Sequence, residues 1–289
     1  MTVRNDILAK VRTIPSMPSA VVKLKQYLSD PDVSFDELAK VIEFDPGLTA
    51  NLLQLANSAY FGWSGHIKTV KEAVTRLGTN RIFQMVLCMS VAPLVRKPVK
   101  GYDMGSNGLW HHSIATAICA EQLAGTLDFS NPEEAFTAGL LHDMGKILLG
   151  TFVEIDDEPI KNLVENESLS FNEAERRVLG IDHAEAAAEL LQYWKLPENV
   201  VAAARWHHDP DQADEKHRDI VDLVHVADIL CIRMGWGIGT DGPLYCLNNE
   251  VEERLGVDAQ VEDIVTDKVG AAIDDLQGIL QGKPEPVLS

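Results

Sequence analysis

Five histidines and two aspartates lie at or near expected helix ends or on a helix where they interrupt an apolar pattern: His112, His142, Asp143, His183, His207, His208 and Asp228. The pair His142-Asp143 lies within Gly139-Leu140-Leu141-His142-Asp143-Met144-Gly145-Lys146. Apolar neighbours point to burial there, and a buried charge needs a partner or a metal. A neutral imidazole beside a carboxylate offers two ligands to a divalent transition metal. On this octapeptide alone, a capped and solvated helix end accounts for the residues equally well. The other histidines shift the balance, because helical proteins assemble metal sites from a few ligands on each of several facing helices. His225 and Glu185 are reserve candidates, and His111 competes with His112 for one position. His66 and His217 fall outside the pattern and read as surface residues, while Trp110 and Trp206 read as packing beside candidate ligands.

The elements that must carry these residues read as helices nearly throughout, which predicts an all-α fold. Hairpin signals and alternating β-branched runs are few. Val21, Leu24 and Leu28 form an apolar stripe at helical spacing. Ser34-Phe35-Asp36-Glu37 has the pattern of a capping box. Asp45-Pro46 places a carboxylate cap before a first-turn proline. Ile82 to Leu94 reads as a buried helix, and Ser113 to Leu127 as an alanine-rich one. Asn131-Pro132-Glu133-Glu134 caps a helix that carries His142-Asp143 at its end. His183 opens another helix, Leu196-Pro197-Glu198 starts one ending at His207-His208, and Ile220 to Arg233 contains Asp228. Gly235 to Pro243 reads as a loop without the spacing or lysine of a P-loop. Asp258 to Leu280 reads as a final helix or two, after which the chain frays.

The 289 residues carry a formal net charge of -19, unevenly spread. Residues 1–100 hold 13 Lys and Arg against 8 Asp and Glu, whereas residues 101–289 hold 12 against 36. Such acidity disfavours direct nucleic-acid binding, whose affinity comes mostly from phosphate neutralisation. The polar, proline-bearing Arg96-Lys97-Pro98-Val99-Lys100-Gly101 suggests a boundary, with an N-terminal helical region over residues 1–100 and a second region over residues 101–289. No apolar run approaches the roughly 20 residues that span a bilayer, and no signal region follows Met1, so a cytoplasmic location without membrane contact is expected. Cys88, Cys119, Cys231 and Cys246 are far apart and read as small hydrophobes rather than a disulfide frame.

Several segments together resemble the HDOD domain, a bacterial output module related to the HD phosphohydrolases. They are Ile14-Pro15-Ser16-Met17-Pro18, Asp45-Pro46-Gly47-Leu48-Thr49, Leu55-Ala56-Asn57-Ser58, Ala73-Val74-Thr75-Arg76-Leu77-Gly78, Leu109-Trp110-His111-His112-Ser113 and Ala135 through Gly145. The resemblance covers about residues 12–210. It implies an N-terminal helical subdomain packed on an HD-like helical core. The order of the ligand candidates resembles that of the HD superfamily, including its HD-GYP phosphodiesterase branch. Carried over, His112, His142, Asp143 and Asp228 would hold one divalent metal and His183, His207 and His208 a second, with Asp143 as bridge. Ser113 after His112 favours that histidine over His111. The metals implied are Fe or Mn first, with Zn, Ni and Co compatible with the donors. Asp143 and Lys146 would then be the catalytic residues of any hydrolysis: paired metals polarise a phosphoryl oxygen and acidify water, and Lys146 would stabilise developing charge.

One departure bears on function. The phosphodiesterase branch has Gly-Tyr-Pro after its histidine pair, whereas this chain has Asp209-Pro210-Asp211. The resemblance therefore implies a signal-transduction protein with a metal-binding HD site first, acting through a signalling partner protein. The alternative is a metal-dependent phosphohydrolase acting on a nucleotide or cyclic dinucleotide.

Overall fold

The computed structural model describes residues 2–28, 34–62, 65–155, 157–237, 239–242 and 245–280. Two residues of the expected loop, Ile238 and Pro243, lie outside that set, as does the expected frayed end beyond Leu280. The described residues form α1 (Val3–Val11), α2 (Ser19–Leu28), α3 (Phe35–Glu43), α4 (Pro46–Ala56), α5 (Val70–Leu77) and α6 (Thr79–Val95). Next come α7 (Gly108–Thr126), α8 (Pro132–Leu141), α9 (Gly145–Ile155), α10 (Asp157–Glu167) and α11 (Phe171–Leu179). The remainder are α12 (His183–Tyr193), α13 (Glu198–Trp206), α14 (Arg218–Arg233), α15 (Asn249–Leu255) and α16 (Ala259–Leu280). Among the described residues there is no strand, and the fold is all-α. No described helix is long and apolar enough to cross a membrane.

The chain forms two compact units that interleave along the sequence: Met1–Ser16 with Ala92–Thr266, and Met17–Val91 with Asp267–Ser289. In the second unit, caps set the helix starts. Ser34 and Glu37 form a reciprocal capping box, and the Asp45 carboxylate accepts from the N–H groups of Gly47 and Leu48 ahead of α4. Helices α3, α4 and α5 pack against one another. The Asn57 side chain closes the turn between α4 and α5, donating to Leu53 O at 2.7 Å and accepting from Ile67 N at 2.8 Å.

The first unit holds every candidate ligand. Helix α7 is its axis, packing on α8 and α14, and is buried on almost every side. Its alanines permit that, because small side chains let neighbouring backbones come close. Two glycines make the closest approaches. A Cβ on Gly139 would stand 2.8 Å from Thr116 O of α7, and one on Gly145 would stand 1.8 Å from His183 O of α12. Bare Cα atoms on either side of His142-Asp143 thus let the pair sit between α7 and α12.

Two local expectations are corrected. The helix expected from Ser113 begins at Gly108, so His111 and His112 lie inside α7 rather than before it. Asn107 precedes it with φ 66°, a left-handed turn that an asparagine tolerates. Asn131 stands at the start of α8 without a side-chain capping bond; Pro132 supplies the start by its fixed φ.

Candidate metal centre

The seven residues come together in the first unit from five places. His112 lies on α7, His142 and Asp143 in the turn between α8 and α9, and His183 at the first residue of α12. His207 and His208 follow α13, and Asp228 lies inside α14. Three overlapping groups place ligand atoms within 4.8 Å of one another: His112, His142 and Asp228; His183, His207 and His208; and His142, Asp143 and His207.

Asp143 stands between the first two groups and divides its oxygens between them. Oδ2 is 3.5 Å from Nε2 of both His112 and His142. Oδ1 is 3.6 Å from His183 Nε2 and 3.8 Å from His207 Nε2. Asp228 Oδ1 completes the first group, 3.0 Å from His112 Nε2 and 3.7 Å from His142 Nε2. In the second group His183 Nε2 and His208 Nε2 lie 2.9 Å apart.

The backs of the imidazoles fix which nitrogen faces inward. His142 Nδ1 lies 2.7 Å from Gly139 O, His207 Nδ1 2.8 Å from Ala204 O, and His112 Nδ1 3.2 Å from Trp236 O. A carbonyl accepts only, so each Nδ1 carries the hydrogen and, in the neutral ring, Nε2 keeps its lone pair. For His142 and His207 the acceptor is a last-turn helix carbonyl, which would otherwise lack a partner. His183 is held by a carboxylate instead. Glu175 Oε2 accepts from its Nδ1 at 2.7 Å and from its backbone N–H at 3.0 Å, and Tyr102 OH donates to the other oxygen.

The electrostatics follow from burial and these partners. Burial pushes His142 down, and burial with the neighbouring His142 pushes His207 down to about 3. Lost hydration, then His207, holds His208 well below the usual imidazole range. Burial alone would lower His183, but the charge and hydrogen bond of Glu175 outweigh it and push it up to about 9. Burial likewise opposes a raised His112, and the hydrogen bond and charge of Asp228 prevail. Asp143 is held well below the carboxylate range: burial raises it, but the Lys146 ammonium and nearby imidazoles dominate.

The donor set fits a divalent metal. The inward Nε2 atoms of His142 and His207 and both Asp143 oxygens are buried without a well-aligned hydrogen bond, the kind of group a native interior satisfies or uses. Lys146 Nζ lies 2.7 Å from Asp143 Oδ2 as an ion pair. Asp143, Glu175, Asp228 and Asp241 are all buried around the imidazoles; Lys146 faces Asp143 and Asp241, Glu175 faces His183, and Asp228 faces His112.

The remaining candidates are placed elsewhere. His111 is half-buried, next to the positive charge of Arg96. His225 uses both nitrogens, Nδ1 donating to His207 O at 2.7 Å and Nε2 accepting from Asn248 N at 3.0 Å. It therefore braces the backbone of His207. Glu185 pairs with Arg4 at 2.6 Å. His66 is exposed, and His217 interacts with Asn199. Trp110 is buried with Arg96 over its ring. Sequence reasoning missed four residues of the centre: Glu175, Tyr102, Asp241, which pairs with Lys146 at 2.6 Å, and Tyr245, whose ring stacks on His208 at 3.8 Å.

An all-helical unit that gathers five imidazoles and two carboxylates at one buried place defines a class of candidate helical metal proteins. The chain belongs to the HDOD domain family, which residues 14–210 match. The crystal structure of an HDOD domain protein of unknown function from Geobacter sulfurreducens is 26% identical, with a TM-score of 0.75 over 96% of each chain. A protein from Shewanella amazonensis proposed to be a phosphohydrolase is also 26% identical, with a TM-score of 0.70 over 96% of this chain and 97% of that one. An uncharacterised Treponema pallidum protein is 26% identical over 78% of this chain and 43% of its own length. The chain spans less than half the length of the curated relatives it matches, 43% of one and 39% of another.

Proposed function

We propose that this chain is a metal-binding signal-transduction module whose HD site takes a pair of divalent ions and uses them to set conformation for a partner protein. The observation that carries the reading is the division of Asp143, one oxygen toward each histidine group. His112, His142, Asp143 and Asp228 would hold one ion and His183, His207 and His208 the other, with Asp143 shared. Mixed imidazole and carboxylate donors favour Fe or Mn and also suit Zn, Ni or Co. The buried Nε2 atoms of His142 and His207 and the two Asp143 oxygens, left without a well-aligned hydrogen bond, support cation binding. A regulatory role agrees with how closed the site is: His142, His183, His207 and Asp241 are all 0% exposed. A cytoplasmic setting goes with this reading.

A second reading, a phosphohydrolase acting on a nucleotide or cyclic dinucleotide, is favoured by Lys146, whose ammonium sits on the shared carboxylate. Bound divalent ions would supply Lewis acidity toward a phosphoryl oxygen and a more acidic water. The chain's own role would be to hold the imidazoles by their Nδ1 atoms, exclude bulk water and offer Lys146 to anionic oxygen. An anionic substrate oxygen taken by Lys146 would compete there with Asp241, which lies 2.6 Å from its Nζ. Metal analysis of protein purified without chelator tests the first reading: about two equivalents of Fe or Mn per chain are expected. Less than about a tenth of an equivalent, unrestored by added metal, would overturn it and the second reading with it.

A further inference from the structure

We propose that Asp241 is a positioning residue for metal loading: it keeps a counter-ion on the buried Lys146 ammonium when Asp143 gives its Oδ2 to a cation. The inference rests on the metal-site reading above. Lys146 Nζ lies 2.7 Å from Asp143 Oδ2 and 2.6 Å from Asp241 Oδ2. Asp143 Oδ2 is also the oxygen that faces His112 and His142. The ammonium therefore leans on the atom that a metal in the first group would take.

Lys146 is 4% exposed, so it cannot exchange that carboxylate for water. An ammonium left in the interior without a carboxylate is strongly destabilising. With Asp143 alone behind it, Lys146 and a metal would compete for one oxygen. Asp241 removes the competition, because the ammonium keeps a full negative charge on its far side whatever Asp143 does. The Asp241 carboxylate is itself 0% exposed, and neither oxygen makes a well-aligned hydrogen bond. Its interaction with the protein is thus mainly the charge on Lys146.

The placement of Asp241 is built rather than incidental. The backbone carries it in through Thr240, whose N–H donates to Tyr102 O at 2.9 Å. Gly239 lets the chain lie flat there: a Cβ would stand 2.6 Å from Asp241 Oδ1 and 2.8 Å from Tyr102 O. The Tyr102 ring centroid lies 5.4 Å from Lys146 Nζ, and its hydroxyl holds Glu175 behind His183. One residue therefore anchors the counter-ion of the lysine and the orienting carboxylate of the second group.

The test is calorimetric titration of Mn²⁺ into the chelator-treated full chain, for wild type, Asp241→Asn, Lys146→Met and the double variant. Asp241→Asn keeps the shape and removes the charge. Its binding to one of the two sites should weaken about 10–100-fold, the range typical of outer-sphere changes. Lys146→Met should bind at least as tightly as wild type, and the double variant should return to within about threefold of it. A purely structural role would leave the double variant as weak as Asp241→Asn. That result, or unchanged binding in Asp241→Asn, or weaker binding in Lys146→Met, overturns the proposal while the metal site stands. If Asp241→Asn does not fold, Lys146→Met and the double variant decide alone: both must match or exceed wild type within the same threefold. A wild type that takes up neither Mn²⁺ nor any of Fe²⁺, Zn²⁺, Ni²⁺ and Co²⁺ overturns the metal-site reading and the role of Asp241 together.

Discussion

The two histidine groups around Asp143 are built on different terms. His112, His142 and Asp228 combine imidazole with a carboxylate of their own, and all three are buried. His183, His207 and His208 bring imidazoles only, and His208 is partly exposed beside Tyr245. The first group carries its charge compensation in its ligands. The second borrows it, from Asp143 Oδ1 in front and from Glu175 behind His183. A dication held by the first group would have two carboxylates, Asp143 and Asp228, within reach, and one held by the second only Asp143. The expected consequence is unequal affinity, with the all-imidazole side looser and first to empty.

Asp143→Ala should have the largest effect, because it removes the residue both groups share. Metal analysis should show both equivalents lost, and a variant that kept either would break the idea of a common bridge. Asp228→Ala should separate the halves. The ion of the carboxylate side should go while the all-imidazole side still fills, which spectroscopic titration with Co²⁺ would register as a change from two binding steps to one. Simultaneous loss of both steps would mean that the halves act as one unit.

Glu175→Gln should reach only the imidazole side. The amide can accept from His183 but no longer supplies charge, so affinity there should fall about 10–100-fold, read by competition with a chromophoric chelator. An equal fall on both sides would erase the distinction drawn above. Tyr245→Ala should be the mildest change. Losing a stacked ring forfeits about 0.5–1.5 kcal/mol beyond its area, which a thermal melt would show as a shift of a few degrees with metal stoichiometry intact.

His112, His142, Asp143 and Asp228 stood out in the sequence because each breaks an apolar or small-residue run, whereas His183, His207 and His208 stood out only through an order that resembles the HD superfamily. Helix starts were legible where a side chain both caps and stands in the right register, as at Ser34 with Glu37 and at Asp45. Glu175 was hidden for the opposite reason. It lies in Glu173-Ala174-Glu175-Arg176-Arg177, where a carboxylate looks like one more charge on a solvated face. Only the turn of α11 shows that it faces inward. Asp241 was hidden between glycines in a segment whose local pattern says loop and nothing more. The start of α7 departs from expectation because Trp110-His111-His112-Ser113 resembles a helix start, whereas here both histidines lie inside the helix, His112 facing Asp228 and His111 near Arg96. The interleaving of the two units depends on contacts distant in sequence, and no local pattern reports them.

Burial of the centre has a kinetic side. With His112, His142, Asp143 and Asp228 each no more than 2% exposed, a solution chelator could not touch an ion held in the first group while the helices stay packed. Release must wait for local opening, so above a modest chelator concentration the rate should stop rising and report the opening step alone. Ions captured as the chain folds would then leave at a pace set by the protein and not by the metal supply around it. Each molecule would carry forward a record of the metal present when it was made.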